Sequence, residues 1–423
     1  MNLKNYYLDF VSLPINVKLL VLLPALLITG PFLPDFAVTL NSIIFIYFIF
    51  KNKINIFKYT YVKIFFIFYF YIVFISFLSY DIFFSLKTTL PYLRFIFFSL
   101  SLIFFFQKYE KAFYLFYCIL LISILAASID GIIQFIFGYD LLGLKRTSEL
   151  KISGFFGKEM ILGSYLSRLY PILVGLFIFF QKKKKFNQNY LIFISIFVTI
   201  AVLITGERTS LFFYFMSLII FFLVLREYKV IFLKNILIFL LILFSFLFFN
   251  MNIKKRLISE TLSQIFINEP DYKNNDLPVK NRKIFIFSEG HETHIKTAYK
   301  IFESNILIGR GPKIFRILCK EKEFFINKDS CTTHPHNIYV QLLAEAGIIG
   351  FLIVFLIFIY ISYNLVKNFF LKKTLDSHII CFLTAAFINF FPFVPTGNFF
   401  SNTLSVYYYL TFSLIYFTKK NIK

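Results

Sequence analysis

The sequence has no tryptophan and only four cysteines among its 423 residues. It is also short of charge: 16% of residues are Asp, Glu, Lys or Arg, and 22 acidic residues face 44 basic ones. A soluble fold of this length needs more polar surface than that to cover its core. A net charge of +22 would suit a nucleic-acid partner, but no basic stripe sits on a soluble segment, so none is expected. The first apolar stretch has no small-residue cleavage site and runs straight into further apolar segments, so it reads as a first anchor and not as a leader peptide.

What is present is apolar. Hydrophobic residues make up 59% of the chain, with 65 Phe and 27 Tyr, and the mean hydropathy is +0.75. The apolar runs match the thickness of a bilayer core, and inside a bilayer a helix satisfies its own backbone. The expected fold class is therefore an all-α polytopic membrane protein with about 12 transmembrane helices. They are placed at 17–33, 36–50, 60–80, 89–106, 112–137, 160–180, 189–206, 209–225, 231–250, 337–361, 377–397 and 401–418. Gly30, Pro31 and Pro34 interrupt the first pair, and Pro395, Thr396 and Gly397 the last, so either pair also reads as a re-entrant hairpin. Three parts follow: spans one to nine in 1–250, a large, partly helical polar loop in 251–336, and spans ten to twelve in 337–423. Membrane lipids are an expected partner, and Tyr takes the interfacial role that Trp often shares.

The lysines orient the chain. Lys51, Lys53 and Lys58, Lys108 and Lys111, Lys182 to Lys185, Arg226 and Lys229, and Lys367, Lys372 and Lys373 all fall between alternate spans. The turns near Asp35, Asp81 and Gly397 carry almost no positive charge. The positive-inside rule then puts both termini in the cytoplasm and the 251–336 loop outside, periplasmic in the inner membrane of a diderm bacterium.

Three polar features share that outer side by parity: the segment from Arg146 to Tyr165, the turn Thr205 to Ser210, and the large loop. Arg208 sits at a membrane boundary, where an arginine either binds an anion or snorkels and pairs locally with Glu207. His336 opens an apolar helix, a position that favours the neutral, basic imidazole of a general base, although interfacial polar residues are also common there. His291 and His294 lie one helical turn apart. With His334 and His336 they match no standard zinc spacing, and no metal is expected. Residues 251–285 read as a solvated linker or lid. Cys319 and Cys331, twelve positions apart in the outer loop, are expected to pair in an oxidising compartment.

The run from His336 through Asn337 and Glu345 to Gly347 and Gly350 resembles the signature of the O-antigen ligase family: His, then Asn, Ser or Gln, nine residues, Gly, two residues, Gly. Ile306-Leu307-Ile308-Gly309-Arg310-Gly311 resembles the family's P-L-L-G-x-G stretch, with Ile306 in place of Pro. Gly206-Glu207-Arg208-Thr209 resembles its Ser/Gly-x-Arg turn, and Ser153 to Tyr165 the segment before its mid-chain helix. The matches keep the family's order between about residues 146 and 350. One position departs: His291, with His294 beside it, stands where the family usually has a loop arginine. A neutral imidazole does not replace a bidentate guanidinium. A protonated His, Arg310, Arg282 or Lys313 then takes over, or the donor is held differently.

The resemblance implies a metal-independent glycosyltransferase without cofactor, acting on a glycan carried by undecaprenyl diphosphate. A ligase moves the glycan to lipid A-core in lipopolysaccharide biosynthesis. A polymerase of the same superfamily moves it to another lipid-linked glycan, and a protein O-glycan transferase is a further relative. It implies His336 as general base and Arg208, helped by Arg146, on the diphosphate. His291, His294, Arg310, Lys313, Asn337 and Glu345 are candidate substrate contacts, and Gly347 and Gly350 serve close helix packing. A polysaccharide flippase or transporter is the reading from another class. It would carry inverted repeats and midplane charges, and no internal repeat is evident here.

Overall fold

The computed structural model of the protein describes residues 3–184, 186–268, 282–284, 287–371 and 375–420. The first part of the chain forms α1 (Leu3–Val11), α2 (Ile15–Leu26), α3 (Phe32–Asn52), α4 (Thr60–Phe77), α5 (Ile82–Tyr92), α6 (Arg94–Lys108), α7 (Glu110–Phe137), α8 (Leu162–Lys184), α9 (Asn189–Ile204), α10 (Arg208–Val224) and α11 (Lys229–Phe249). Short helices α12 (Met251–Lys254) and α13 (Glu260–Ile265) flank a π-helical turn, Lys255–Ser259. Strands β1 (Phe266–Asn268) and β2 (Arg282–Ile284) pair antiparallel. Then come α14 (Glu289–Glu303), α15 (Phe315–Leu318), α16 (Ile338–Phe370), α17 (Ser377–Asn389) and α18 (Asn402–Lys420).

Among the described residues, seven helical segments are long and apolar enough to cross a membrane: Phe32–Asn52, Thr60–Phe77, Ile82–Lys108, Glu110–Phe137, Leu162–Gln181, Arg226–Phe249 and Ile338–Phe370. α2, α9, α10 and α17 are apolar but shorter. The protein is a multi-pass helical membrane protein. α11 shows why the sequence selects that solvent. Its buried residues Ile231, Phe232, Asn235 and Phe239 form one stripe, while Leu237, Leu241, Phe244 and Phe248 are exposed on the rest of the helix. In water each of those side chains would forgo roughly 1.5–3 kcal/mol of burial; against lipid tails that term vanishes. α8 is the opposite case. Of its most apolar window, 94% is buried inside the molecule, against 22% for Arg226–Phe249. It is the central helix, packed by α7, α10 and α17.

Each of the twelve segments expected as spans falls on a helix, with differences at the ends. The segment expected over 17–33 stops at Leu26, and α6 is preceded by the separate helix α5. The segment expected over 377–397 stops at Asn389, and residues 390–401 run on without helix. Residues 251–265, expected as solvated linker, are helical instead: Asn250 caps α12 by accepting from Ile253 N at 3.0 Å.

α16 is broken. Gly347 has φ 62° and ψ −170°, a combination open essentially to glycine alone. The break frees backbone groups, and the segment Ile306–Gly311 docks into it. Arg310 N donates to Ala344 O at 3.1 Å and Gly311 N to Glu345 O at 2.9 Å, while Ile348 N donates to Ile306 O at 2.9 Å. A Cβ on Gly347 would lie 2.3 Å from Leu307 O, and one on Gly309 2.5 Å from Glu345 C. The two glycine-bearing motifs, distant in sequence, are two sides of one junction. Gly350 packs against the ring of Tyr71, whose hydroxyl donates to Ala346 O at 2.6 Å.

Residues 287–335 form a small unit on top of this junction. Ala298 and Ile301 of α14 share a core with Ile314, Phe315, Leu318, Phe324 and Ala344. Cys319 and Cys331 are joined in a disulfide, with Cα atoms 5.2 Å apart.

Candidate functional site

His336 is held in the left-handed region, at φ 54°. Such a backbone costs a β-carbon residue on the order of 1–2 kcal/mol, and the surrounding hydrogen bonds over-determine it. Thr396 N donates to His336 O at 2.7 Å, and Ile338 N donates to Thr396 Oγ1 at 3.1 Å. Asn337 is the cap of α16: its Oδ1 accepts from Tyr339 N at 3.0 Å and Val340 N at 3.1 Å. Its Nδ2 donates to Pro392 O at 2.7 Å. With both ends of its amide engaged, Asn337 fixes the helix start against the 390–401 loop.

Around His336 the fold assembles three more imidazoles. Ring centroids lie 4.4 Å away for His334, 5.3 Å for His294 and 5.4 Å for His291. His291 and His294 come from the first turns of α14, and His334 from the segment after the disulfide. Thr396 O can only accept, so His334 Nε2, 3.3 Å from it, carries the proton and Nδ1 takes the Thr333 hydroxyl at 2.9 Å. Burial pushes the His336 imidazole down to about 3, helped by His334, His291 and His294. His334 is pushed down to about 4 for the same first reason, and His291 and His294 are also lowered by burial. Mutual repulsion and desolvation both favour the uncharged rings. At neutral pH the cluster is neutral, and among the described residues no hydrogen bond engages a ring nitrogen of His336.

Arg208 begins α10 and lies within electrostatic reach of His291. It does not pair with its neighbour Glu207. Its Nη1 donates to Gln264 Oε1 at 2.6 Å and Nη2 to Arg256 O at 3.1 Å, with Glu260 Oε2 at 3.8 Å. Its Nε is buried with no hydrogen-bond partner among the described residues. Arg256 is close by: its Nε donates to Gly206 O at 3.2 Å and its Nη1 to Glu260 Oε2 at 2.5 Å. Lys151 joins them; burial lowers its ammonium, and Arg256 and Arg208 lower it further against Glu207 and Glu260. Three cations thus meet two carboxylates, and only Glu260 pairs directly.

Glu207 has another task. Its Oε1 accepts from Gly163 N at 2.8 Å, and its Oε2 from Ser164 N at 3.0 Å and Ser210 Oγ at 2.7 Å. It closes the start of α8, where an anion is favoured by the exposed N–H groups. Burial nevertheless raises its carboxyl above the ordinary range, against those three hydrogen bonds. Gly206, at φ 66°, brings the turn so close that a Cβ would stand 2.5 Å from Leu150 O. The Ser153–Tyr165 segment and the Arg208 turn are therefore one piece.

The other expected contacts separate from this group. Arg310 Nε donates to Ser304 Oγ at 2.8 Å and Nη2 to Ser304 O at 3.1 Å, closing the end of α14. Glu345 is buried; its Oε2 accepts from Lys313 N at 2.8 Å and Gln341 Nε2 at 2.9 Å, and its Oε1 from Phe315 N at 3.4 Å. It stitches the loop to α16. Lys313 lies within electrostatic reach of Arg316, Glu345 and Arg94. Arg146 is half-buried on the loop after α7, and among the described residues no hydrogen bond or ion pair ties its side chain to the Arg208 cluster. The side chain of Arg282 lies outside the described residues. Among the described residues, no group of three or more His, Cys, Asp or Glu side chains is placed to hold a metal ion.

Sequence reasoning missed Lys151, Arg256, Glu260 and Gln264. The Lys254-Lys255-Arg256 run immediately after an apolar segment was the available signal; it lay in a stretch that read as linker.

The model of the family described as O-Antigen ligase matches residues 191–355. Over these residues the chain is similar to the O-antigen ligase family. The matched segment begins at α9 and ends within α16, so it contains the Arg208 turn, the π-helical Arg256 turn, α14 and the whole histidine cluster. No curated protein and no solved structure matches the chain. The matched residues include Arg208, Arg256 and the four histidines, while Lys151 and Thr396 lie outside them.

Proposed function

We propose that the protein is a glycosyltransferase that moves a glycan from undecaprenyl diphosphate to an acceptor hydroxyl, with lipid A-core as acceptor. Twelve crossings, cytoplasmic termini and a periplasmic site in the inner membrane complete the reading, supported by the lysine distribution and the run of helices. The observation that carries it is the meeting of a neutral His336, through His291, with Arg208 and its cationic neighbours.

The chemistry needs two things, and this cluster supplies both. The acceptor oxygen attacks the anomeric carbon, forming the new C–O bond. The old bond to the diphosphate breaks, and its electron pair leaves on the diphosphate. The acceptor's proton passes to a ring nitrogen of His336 as general base. Arg208 and Arg256, with Lys151 behind them, hold the departing diphosphate through charge-assisted bonds. A bound diphosphate also favours the imidazolium, so His336 becomes a better base when the donor is in place. Arg256 fills the role left open where His291 replaces the family's loop arginine. Diphosphate is a good leaving group whose charge these cations offset, so no metal is required by the reaction.

A polymerase of the same superfamily would use the same groups with a second lipid-linked glycan as acceptor. Deletion of the gene, followed by inspection of surface glycan, separates the two. Long lipid-linked polymer that is not joined to lipid A-core is the expected result. Single capped repeats would instead mean a polymerase, and unchanged glycan would sink both readings.

A further inference from the structure

We propose that Lys313 and Arg316 form a second anion site, separate from the Arg208 cluster, that binds the phosphate of an acceptor glycolipid at the His334 edge of the histidine cluster. The proposal rests on the glycosyltransferase reading above.

The first ground is that these cations lack counter-charges. Arg94 meets Asp35 at 2.6 Å and Arg256 meets Glu260 at 2.5 Å, and Arg168 and Arg310, unpaired among the described residues, direct their donors to neutral oxygens of Asn389, Ser164 and Ser304. Among the described residues, no carboxylate lies within ion-pairing distance of Lys313 or Arg316. Arg316 spends Nη2 on Thr333 O at 3.2 Å, and its Nε is buried with no hydrogen-bond partner among the described residues. The nearest acid acting on Lys313 is Glu345, whose oxygens are occupied by Gln341 and two backbone N–H groups. Burial, Arg316 and Arg94 all lower the Lys313 ammonium, and Glu345 opposes them. Holding a desolvated Lys313 beside Arg316 is unfavourable until an anion arrives.

The second ground is that the backbone holds them there. Lys313 sits at φ 61° with its N–H bound to Glu345 Oε2 at 2.8 Å. Ser85 Oγ donates to Pro312 O at 3.1 Å, and Ser79 Oγ to Arg310 O at 3.1 Å. Arg316 lies on α15, three residues before the disulfide-bonded Cys319. A mobile surface lysine and arginine would need none of this.

Position supplies the third ground. The Arg208 cluster reaches the histidines at His291, whereas Arg316 reaches them at His334. Both rings contact His336. The base therefore has one cationic group at each of two edges. A transfer between two lipid-anchored substrates needs one anion site for the leaving diphosphate and, where the acceptor also carries phosphate, another to place its hydroxyl. An arginine for bidentate contact beside a lysine point charge suits a phosphate ester.

The test is calorimetric titration of the full-length protein in detergent, with inorganic diphosphate and with farnesyl diphosphate as probes. Wild type should bind two equivalents of farnesyl diphosphate. Lys313→Asn, chosen because Asn tolerates the left-handed backbone, and Arg316→Gln should each lose one equivalent and keep the other. Arg208→Gln should lose the complementary one. If Arg208→Gln leaves both equivalents while Arg316→Gln removes one, the donor reading fails and the second site stands. Two equivalents retained in both Lys313→Asn and Arg316→Gln overturn the second site, as does loss of both in either. At the second site farnesyl diphosphate should bind at least about tenfold more tightly than inorganic diphosphate; equal binding overturns its assignment to a glycolipid.

Discussion

The Arg208 guanidinium donates to the side-chain oxygen of Gln264 at 2.6 Å, across 56 positions of sequence. The contact fastens α13 over the start of α10. It also orients a charge whose Nε has no hydrogen-bond partner among the described residues. The short helices after α11 are thus part of the cationic cluster, and their residues are open to test.

Arg256→Gln should weaken donor binding. A charge-assisted hydrogen bond contributes about 1.5–3 kcal/mol, so the donor KM should rise roughly 10- to 100-fold. Transfer at saturating donor should fall less. Steady-state kinetics in proteoliposomes read both. An unchanged donor KM would remove Arg256 from the site.

Acid should act on stability through the histidines. The folded His334 and His336 are lowered to about 4 and about 3, against an ordinary 6.5. Below pH 6.5 the unfolded chain binds protons that the folded cluster refuses, so stability falls as pH drops from 6.5 toward 3. Thermal unfolding across that range should show a flatter acid limb in His334→Gln than in wild type. In the same way, kcat/KM for transfer should keep its acid limb well below pH 6.5. An acid limb centred at the ordinary histidine value would contradict the burial of the cluster.

Gly347→Ala should uncouple the two motifs. The new Cβ would stand 2.3 Å from Leu307 O, at φ 62°. Backbone strain of this kind costs about 1–3 kcal/mol, and the overlap with a carbonyl adds to it. Transfer should be lost, and hydrogen exchange should rise across 306–311. Normal exchange there would mean that the junction adapts.

The disulfide should matter to the small unit more than to the bundle. Cys319→Ser opens a loop of twelve positions, and closure of short loops contributes about 2–4 kcal/mol. Hydrogen exchange in 315–335 should accelerate, while α8 and α17 stay protected. Equal loosening of both would show that the unit has no separate stability.

Much of this was legible in the residues because the physics was local. Apolar runs of bilayer length marked the helices, and all twelve expected segments fall on helices. His336, Asn337 and Gly347 stood at fixed spacing and so announced themselves. Arg256 and Gln264 did not. Their value comes from a π-helical turn that brings them back onto Arg208, and no periodicity signals that return. Glu345 stood out as a carboxylate in an apolar helix, but its partners, the N–H groups of Lys313 and Phe315 and the amide of Gln341, are revealed only by the fold. His294 was legible as one turn from His291, yet its approach to His336 needed α14 to pack on α16.

The most direct test of the account is transfer by His336→Gln, measured with a lipid-diphosphate-linked glycan in proteoliposomes beside binding of the same donor. Gln keeps the size and polarity of the side chain and removes the base. The account predicts donor binding close to wild type and transfer reduced about 100-fold or more. Near-normal transfer by His336→Gln would contradict it.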